Sequence, residues 1–282
     1  MLDLDHLKSW IGTTRESRDV ISPRLANGLA AVLDEAPRLG EGDPAPAGIH
    51  WCLSPDIAPM SGLGPDGHPA RGDFLPPVAL PRRMWAGGEL VFSGDFRVGD
   101  AMIRRSRIAD VALKTGRTGM LCFVTVTHDY SGPRGQVLSE RQDIVYRPVR
   151  TASAGAAQDI PQPSPDASHE VGASPVLLAR YSAVTFNGHR IHYDRDYCQR
   201  EEGYPGLVVH GPLQATYLLR LVCRMNEGRM PARFAFRSIA PLFDGGSFTV
   251  NAAASAQDHT LWVRSQTGSV TMQASASREP AA

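Results

Sequence analysis

Residues 185–194 read TFNGHRIHYD, and residues 209–213 read VHGPL. These two stretches hold three of the chain's nine histidines, and they lead into residues 212–226, whose apolar side chains recur every three or four positions. That period places the apolar side chains on one face of a helix, which must lie against an apolar surface. We therefore expect the chain to fold around one long helix preceded by a polar, histidine-rich loop.

The segments outside this loop and helix alternate between one further helix and several strands. Ser22 and Pro23 predict the start of a helix that Pro37 ends. Strand-like patterns with Gly-rich turns between them cover residues 89–96, 102–113, 120–128, 137–146, 176–185, 233–240, 247–254, 260–265 and 269–277. A helix followed by a run of antiparallel strands, twice over, predicts an α+β fold with two similar halves.

Composition divides the chain between these halves. Of the 24 residues from 151 to 174, 15 are Ala, Ser, Pro or Gly, which is typical of a linker. We therefore predict an N-terminal domain over residues 1–150, a linker over 151–174 and a C-terminal domain over 175–282. Only the C-terminal domain carries the histidine-rich loop, while His68 stands alone among glycines and prolines, so we expect one active site per chain and a catalytically degenerate N-terminal domain.

Charge and residue usage exclude several classes of protein. The chain has 282 residues, with 29 Lys and Arg against 29 Asp and Glu, so no excess of positive charge is present to bind a nucleic acid. No apolar run approaches the ~18 residues of a membrane span, and no signal-peptide pattern opens the chain, so we expect a cytoplasmic protein without a membrane partner. The four cysteines form no C-x-x-C pair, and His189 and His192 lack obvious further ligands, so we predict no metal site.

The histidine-rich loop resembles the R-specific hydratase/dehydratase group of the hot-dog superfamily, often called MaoC-like. The family signature runs roughly Gly-Asp-x-Asn-Pro-Ile-His-x-Asp, then Tyr, then His-Gly, and the His of this pattern falls on His192. Asp194, Tyr197 and the pair His210 and Gly211 match its later positions. The wording FNGHRIHYD, with EGYPGLVVHGPL at residues 202–213, is similar to the subgroup that contains the mesaconyl-C4-CoA and itaconyl-CoA hydratases.

The N-terminal half is similar to the same subgroup. The segments concerned are LPRRMWAGG at residues 80–88, KTGRTG at 114–119 and ERQDIVYR at 140–147. The resemblance implies a double hot-dog fold, in which two antiparallel sheets each wrap a central helix. It also implies a hydro-lyase that adds or removes water on a short branched or dicarboxylic 2-enoyl-CoA, of the itaconyl-CoA or mesaconyl-C4-CoA type. An acyl-CoA is then the partner, coenzyme A enters only as part of the substrate, no separate cofactor is needed, and a homo-oligomer is left open.

The reaction needs a base for water, an acid for Cα and donors for the developing enolate oxygen. We expect His192 to transfer the proton. The resemblance places Asn187 where the family has its catalytic Asp, and we expect this amide to orient the water instead. His189 or Asp194 would supply a second titrating group, and the N–H of Gly211, at the start of the predicted helix, would bind the thioester oxygen.

Other residues are candidates for substrate binding. A free carboxylate on the acyl chain would call for an arginine, which can bind it through two parallel hydrogen bonds. The candidate substrate-binding residues are Arg82, Arg83, Trp85, Arg190, Gly206 and His210. The alternative interpretations are a 3-hydroxyacyl-thioester dehydratase of fatty-acid synthesis and a non-catalytic acyl-CoA-binding hot-dog protein. A hot-dog thioesterase is disfavoured, because the predicted helix 212–226 contains no Asp or Glu.

Overall fold

The computed structural model describes residues 2–116, 119–148, 160–255 and 258–278. The helices are α1 (Leu4–Lys8), α2 (Pro23–Val32), α3 (Pro175–Thr185), α4 (Arg195–Arg200) and α5 (Gly211–Met225). The strands are β1 (Thr14–Val20), β2 (Arg82–Phe92), β3 (Ala101–Gly116), β4 (Gly119–Gly132), β5 (Gly135–Arg147), β6 (Ala167–Gly172), β7 (Arg233–Ser238), β8 (Ser247–Ala254), β9 (Asp258–Ser265) and β10 (Val270–Ser277).

These strands form one antiparallel sheet in the order β1-β3-β4-β5-β2-β7-β10-β9-β8-β6. Counted from the outer edge of the sheet inward, the strands of each half come in the order first, third, fourth, fifth, second. The second strand of each half, β2 or β7, therefore lies at the centre of the sheet. The halves meet where β2 pairs with β7, with Leu90 opposite Phe234. The α+β class and the two-half organisation are confirmed, but the two sheets expected from the sequence are joined into one.

The long helix α5 is the centre of the C-terminal half. It packs against strands β6 to β10, and Leu213, Leu218 and Val222 are fully buried. This confirms the helix predicted over residues 212–226. The N-terminal half differs, because its helix α2 packs against α3 rather than spanning a sheet of its own. Ser22 caps α2 as predicted, with its Oγ accepting a hydrogen bond from the Leu25 N–H.

Two sequence-based predictions between the halves need correction. The predicted linker, residues 151–174, includes strand β6, which pairs along its whole length with β8. Residues 151–159 of that linker, and residues 117–118 of the predicted 114–119 turn, lie outside the described residues. The strand expected over residues 176–185 is helix α3, which Ser174 caps with a hydrogen bond from the Leu177 N–H. Among the described helices, none is long and apolar enough to span a membrane.

Candidate active site

A cavity of about 1680 Å³ opens between the two halves and is lined by residues of both. This volume exceeds the ~300–1000 Å³ of an ordinary small-ligand pocket, so a long ligand can enter it. Asn187, His189 and His192 of the histidine-rich loop line this cavity, and so do Arg83 and Trp85 of β2. The fold therefore brings the C-terminal histidines and the N-terminal arginine and tryptophan to one site.

His192 is held in one tautomer. Its Nδ1 lies 2.7 Å from the carbonyl oxygen of Val208, and a carbonyl can only accept, so Nδ1 carries the proton and Nε2 has a free lone pair. His192 lines the cavity, and in the described part of the chain Nε2 has no hydrogen-bond partner. Burial lowers the pKa of His192 to about 3, so the ring is neutral at physiological pH. The neutral ring thus offers the Nε2 lone pair as a hydrogen-bond acceptor to a molecule in the cavity.

His210 supports this ring from behind. The two imidazoles stack with centroids 3.5 Å apart, and His210 Nε2 lies 2.9 Å from Ser182 Oγ. His210 is fully buried and does not line the cavity. Our prediction that it binds substrate is therefore wrong, because its position is that of a positioning residue for His192.

Asn187 lies at the start of the histidine-rich loop, just after the end of helix α3. Its N–H donates to the Ser182 carbonyl, and its side-chain Oδ1 accepts a hydrogen bond from the His189 N–H at 3.0 Å. Within the described residues its Nδ2 has no acceptor, and the residue lines the cavity. A neutral amide held in this way can orient a water molecule, but it cannot remove a proton from it.

Gly211 begins α5 at the cavity wall, where the N-terminal end of the helix dipole carries partial positive charge. No acceptor for the Gly211 N–H is found among the described residues. A Cβ at this position would come within 3.1 Å of Trp85 Cε3, so any larger residue would require the indole to shift by a few tenths of an ångström. Trp85 itself lies at an irregularity of β2, and its carbonyl accepts a hydrogen bond from Ser238 Oγ.

The neighbouring arginines of β2 have different environments. Arg82 is buried, forms an ion pair with Glu202 at 3.0 Å and donates to the carbonyls of Glu201 and Glu202, so its charge is already matched. Arg83 lines the same cavity, and within the described residues no carboxylate forms an ion pair with it. Both arginines line the cavity, but the charge of Arg82 is matched by Glu202, so Arg83 is the guanidinium whose charge is available to a ligand. A substrate-binding role for Arg82 stays a prediction.

Three further predicted residues lie outside the cavity lining. Arg190 forms an ion pair with Asp194 at 2.8 Å, and Asp194 also caps α4 through the Tyr197 N–H. Gly206 lies beside Asp244, away from the cavity. Arg190 and Asp194 thus bond to each other within the loop rather than line the cavity. The substrate-binding roles of Arg190 and Gly206 and the titrating role of Asp194 stay predictions that this geometry does not support.

His189 is the member of that predicted pair that reaches the cavity. It is buried, and its ring centroid lies 4.2 Å from that of His68 and 5.5 Å from that of His192. His68 lines the cavity as well, and its Nδ1 lies 3.2 Å from the Asp66 carboxylate. His68 and Asp66 were not predicted as site residues, since their only local signal is an Asp-Gly-His triplet in a turn-rich segment.

Asp66, His68 and His189 are also the described residues whose side chains could hold a metal. Their ligand atoms lie within 4.8 Å of one another, and two imidazoles with one carboxylate suit a first-row divalent ion. Burial is the main cause that lowers the pKa of both histidines, and the nearby Arg83 guanidinium lowers it further. That positive charge disfavours a dication, so the geometry fits a proton-transfer group better than a metal site.

Comparison with known proteins gives consistent results. Residues 48–244 match the family described as hydroxyacyl-thioester dehydratase type 2. The chain is 43% identical over 242 residues to the mesaconyl-C(4)-CoA hydratase of Chloroflexus aurantiacus, which covers 85% of this chain and 86% of that protein. It is 26% identical over 223 residues to the mitochondrial hydroxyacyl-thioester dehydratase type 2 of Schizosaccharomyces pombe, which covers 70% of this chain and 73% of the relative.

Among solved structures, a MaoC-like dehydratase from Phytophthora capsici superposes with a TM-score of 0.71 over 99% of this chain and 100% of that one. The two sequences are only 15% identical, so this likeness concerns the fold alone. It agrees with the double hot-dog fold implied by the sequence.

Proposed function

The chain belongs to the hydroxyacyl-thioester dehydratase type 2 family, and from this premise we propose that it hydrates a short dicarboxylic 2-enoyl-CoA of the mesaconyl-C4-CoA type. The observation that carries the proposal is His192, whose Nδ1–H is fixed on the Val208 carbonyl and whose ring lines the same cavity as Asn187 and Gly211. The 43% identity to a mesaconyl-C(4)-CoA hydratase supports the substrate class.

The geometry supports different roles for the cavity residues in this reaction. Asn187 orients a water molecule, and His192 Nε2 removes its proton as the oxygen attacks Cβ. The negative charge that develops on the thioester oxygen is stabilised by the Gly211 N–H and the N-terminal end of α5, and such a donor contributes about 10²- to 10³-fold in turnover. Arg83 provides an unpaired guanidinium for the free carboxylate of the acyl chain.

The proposal is tested with mesaconyl-C4-CoA, itaconyl-CoA, crotonyl-CoA and a long-chain 2-enoyl-CoA, each followed by mass for the gain of one water. We expect the highest kcat/KM for a dicarboxylyl-CoA, and we expect His192→Ala to abolish the reaction. His169→Gln is the matched control, since His169 is exposed on β6 and lies outside the cavity. Absence of hydration of all four thioesters, or full activity of His192→Ala, would contradict the proposal.

A second candidate is dehydration of a longer 3-hydroxyacyl thioester, which the family description and the S. pombe relative favour. Both candidates use the same chemistry in opposite directions, so the acyl chain distinguishes them. Preference for the long-chain thioester in the assay above would select this second candidate. The itaconyl-CoA substrate, the need for no separate cofactor, the cytoplasmic location and a homo-oligomer stay predictions.

A further inference from the structure

The proposed reaction lacks an assigned acid for Cα. His192 serves as the base for water, and Asn187 stands where a carboxylate is common in the family, so the loop itself leaves one proton without a donor. Asp194, the residue that could have replaced it from the same loop, is bound to Arg190 and to the start of α4. His189 is the remaining titratable group of the loop at the cavity, and its ring lies against a further histidine, His68, from another part of the cavity wall.

The N-terminal half supplies a histidine with a carboxylate partner at this wall. His68 lines the cavity, and its Nδ1 lies 3.2 Å from Asp66 Oδ2, while its backbone N–H donates to Asp66 Oδ1 at 3.1 Å. A carboxylate paired with one ring nitrogen fixes the imidazole and stabilises its protonated form. The other ring nitrogen is then left for a ligand or a neighbour.

The segment that contains Asp66 and His68 is hydrogen-bonded to the histidine-rich loop. The Arg190 N–H donates to the Asp66 carbonyl at 2.9 Å, and Arg190 Nη1 donates to the Pro65 carbonyl at 3.1 Å. Gly67 has a φ of +86°, and a Cβ there would lie 2.1 Å from the Gly188 carbonyl oxygen, so only glycine lets the two backbones come this close. Arg190 and the two glycines thus fix His68 against the loop that carries His192.

The histidines form a continuous row along this wall. His189 lies between His68 and His192, with ring centroids 4.2 Å and 5.5 Å from theirs. Burial, together with the guanidinium groups of Arg83 and Arg71, holds the pKa of His68 below the ordinary value of a histidine, while the Asp66 carboxylate acts in the opposite direction and favours the protonated ring. Arg71 donates to three backbone carbonyls of the neighbouring loop. The charge of Arg83 is the one that a bound substrate carboxylate would neutralise, and this would favour protonation of His68.

We propose that His68, paired with Asp66, is the second proton-transfer residue of the site and delivers the proton to Cα. This inference rests on the proposed hydration. In the step, a water O–H bond breaks and its proton goes to His192 Nε2, while the water oxygen bonds to Cβ. The π electron pair of the C=C bond forms the new bond between Cα and the proton that leaves His68. The proton on His192 then returns to His68 through His189 or a water molecule, which restores both residues.

The test compares His68→Gln with the wild-type protein on mesaconyl-C4-CoA across a range of pH. General acid catalysis contributes about 10²- to 10⁴-fold, so we expect kcat to fall by at least about 10²-fold. Because the acid must be protonated, the wild-type rate falls as pH rises through the pKa of His68, and the variant loses that alkaline limb. Asp66→Asn should move the alkaline limb to lower pH, since it removes the carboxylate that favours the protonated ring.

A second substitution separates catalysis from structure. Asn187→Asp places a carboxylate where the family commonly has one, so in the His68→Gln background it should restore at least about tenfold of the lost kcat, whereas Asn187→Ala should not. His169→Gln serves again as control.

Unchanged kcat and pH profile in His68→Gln, while the wild type hydrates the substrate, would overturn this inference alone. Loss of wild-type activity on dialysis against EDTA, with recovery on adding Zn²⁺, would also overturn it, because Asp66, His68 and His189 would then be metal ligands. A wild-type protein that hydrates none of the thioesters would instead contradict the proposed function.

Discussion

At the scale of single residues, two adjacent arginines have opposite roles. Both line the cavity, but Arg82 is buried and paired with the largely buried Glu202, whereas Arg83 has no ion-pair partner among the described residues. Sequence alone could not separate them, because a doublet of identical side chains carries no information on which one meets a carboxylate. The tertiary contact between Arg82 and Glu202 decides it.

Arg83→Ala should therefore lower kcat/KM for dicarboxylyl-CoA by about 10- to 10²-fold, since a hydrogen bond to a charged group contributes about 1.5–3 kcal/mol. Crotonyl-CoA, which has no free carboxylate, should lose much less. Initial rates on both thioesters measure the difference, and Arg83→Lys should recover part of the activity. Equal losses on the two substrates would remove the assignment.

Arg82→Ala tests the other half of this contrast. It leaves the buried Glu202 without its partner, and breaking such a pair typically costs about 3–5 kcal/mol. We expect a clear loss of the free energy of unfolding in denaturant titrations, with a similar effect on both thioesters in any protein that remains folded. Wild-type stability with a selective loss on dicarboxylyl-CoA would reverse the roles of the two arginines.

The motif predicted Asn187, His192 and Gly211 in the cavity wall, but it could not predict which polar neighbours reach it. Arg190 and Asp194 share the loop with His192, yet they pair with each other, because an ion pair four residues apart is satisfied locally. His68 is more than 100 positions away in sequence, and only the fold brings it to His189. The sequence shows which side chains can form hydrogen bonds, but tertiary contacts decide which groups they bond to.

At the scale of elements, β2–β5, β7–β10 and α5 follow their sequence periods, while β1 was not predicted and β6 and α3 differ from the prediction. β6 reads as a linker because all of its six residues except Val171 are small or polar, and it lies at the edge of the sheet, where little apolar surface needs covering. The apolar residues of α3 suggested a strand, but Ser174 and Pro175 give it a helical start. The same Ser-Pro start opens α2, and this is the signal that could have identified α3.

Gly211, at the start of α5, can be substituted to test whether its N–H acts in the reaction. Gly211→Val places branched carbon atoms against Trp85, where even a Cβ would lie at 3.1 Å, so the helix start or the indole must move. A misplaced donor at a reacting atom typically costs about 10²-fold, and we expect a loss of that order in kcat with the fold retained. Gly172→Ala on β6 is the matched control, since nothing lies within 4 Å of a Cβ built there. Wild-type kcat in Gly211→Val would exclude this N–H from the oxyanion site.

At the scale of the whole molecule, the seam between β2 and β7 makes the two halves one structural unit. Arg233 of β7 pairs with Glu89 of β2 across it, and Leu90 and Phe234 are both fully buried there. The cavity lies between the halves, so residues of the N-terminal half, which carries no catalytic loop, still complete the site. The sequence predicted two similar halves, but strand pairing between them depends on edge contacts that no local pattern encodes.

Burial of neutral histidines throughout this unit makes its stability depend on pH. His50 and His128 in the N-terminal half and His192 in the cavity have pKa values lowered to about 3, and that of His189 is lowered to about 2, with burial as the main cause. The unfolded chain takes up these protons near pH 6.5, so between pH 6.5 and pH 5 it binds more protons than the folded chain. The free energy of unfolding must therefore fall as pH falls through this window. Glu140, whose pKa is raised by burial, acts in the opposite direction as a single group against four.

Each such histidine contributes a slope of at most about 1.4 kcal/mol per pH unit. We expect denaturant titrations at pH 7.5, 6.5, 5.5 and 5.0 to show a steep loss of stability below pH 6.5 and little change above it. His128→Gln should reduce the slope by about one proton, because Ser106 then bonds a side chain that does not titrate. A wild-type stability that stays constant from pH 7.5 to 5.0 would mean that these histidines gain their protons without unfolding, and the neutral, proton-accepting state of His192 would lose its structural basis.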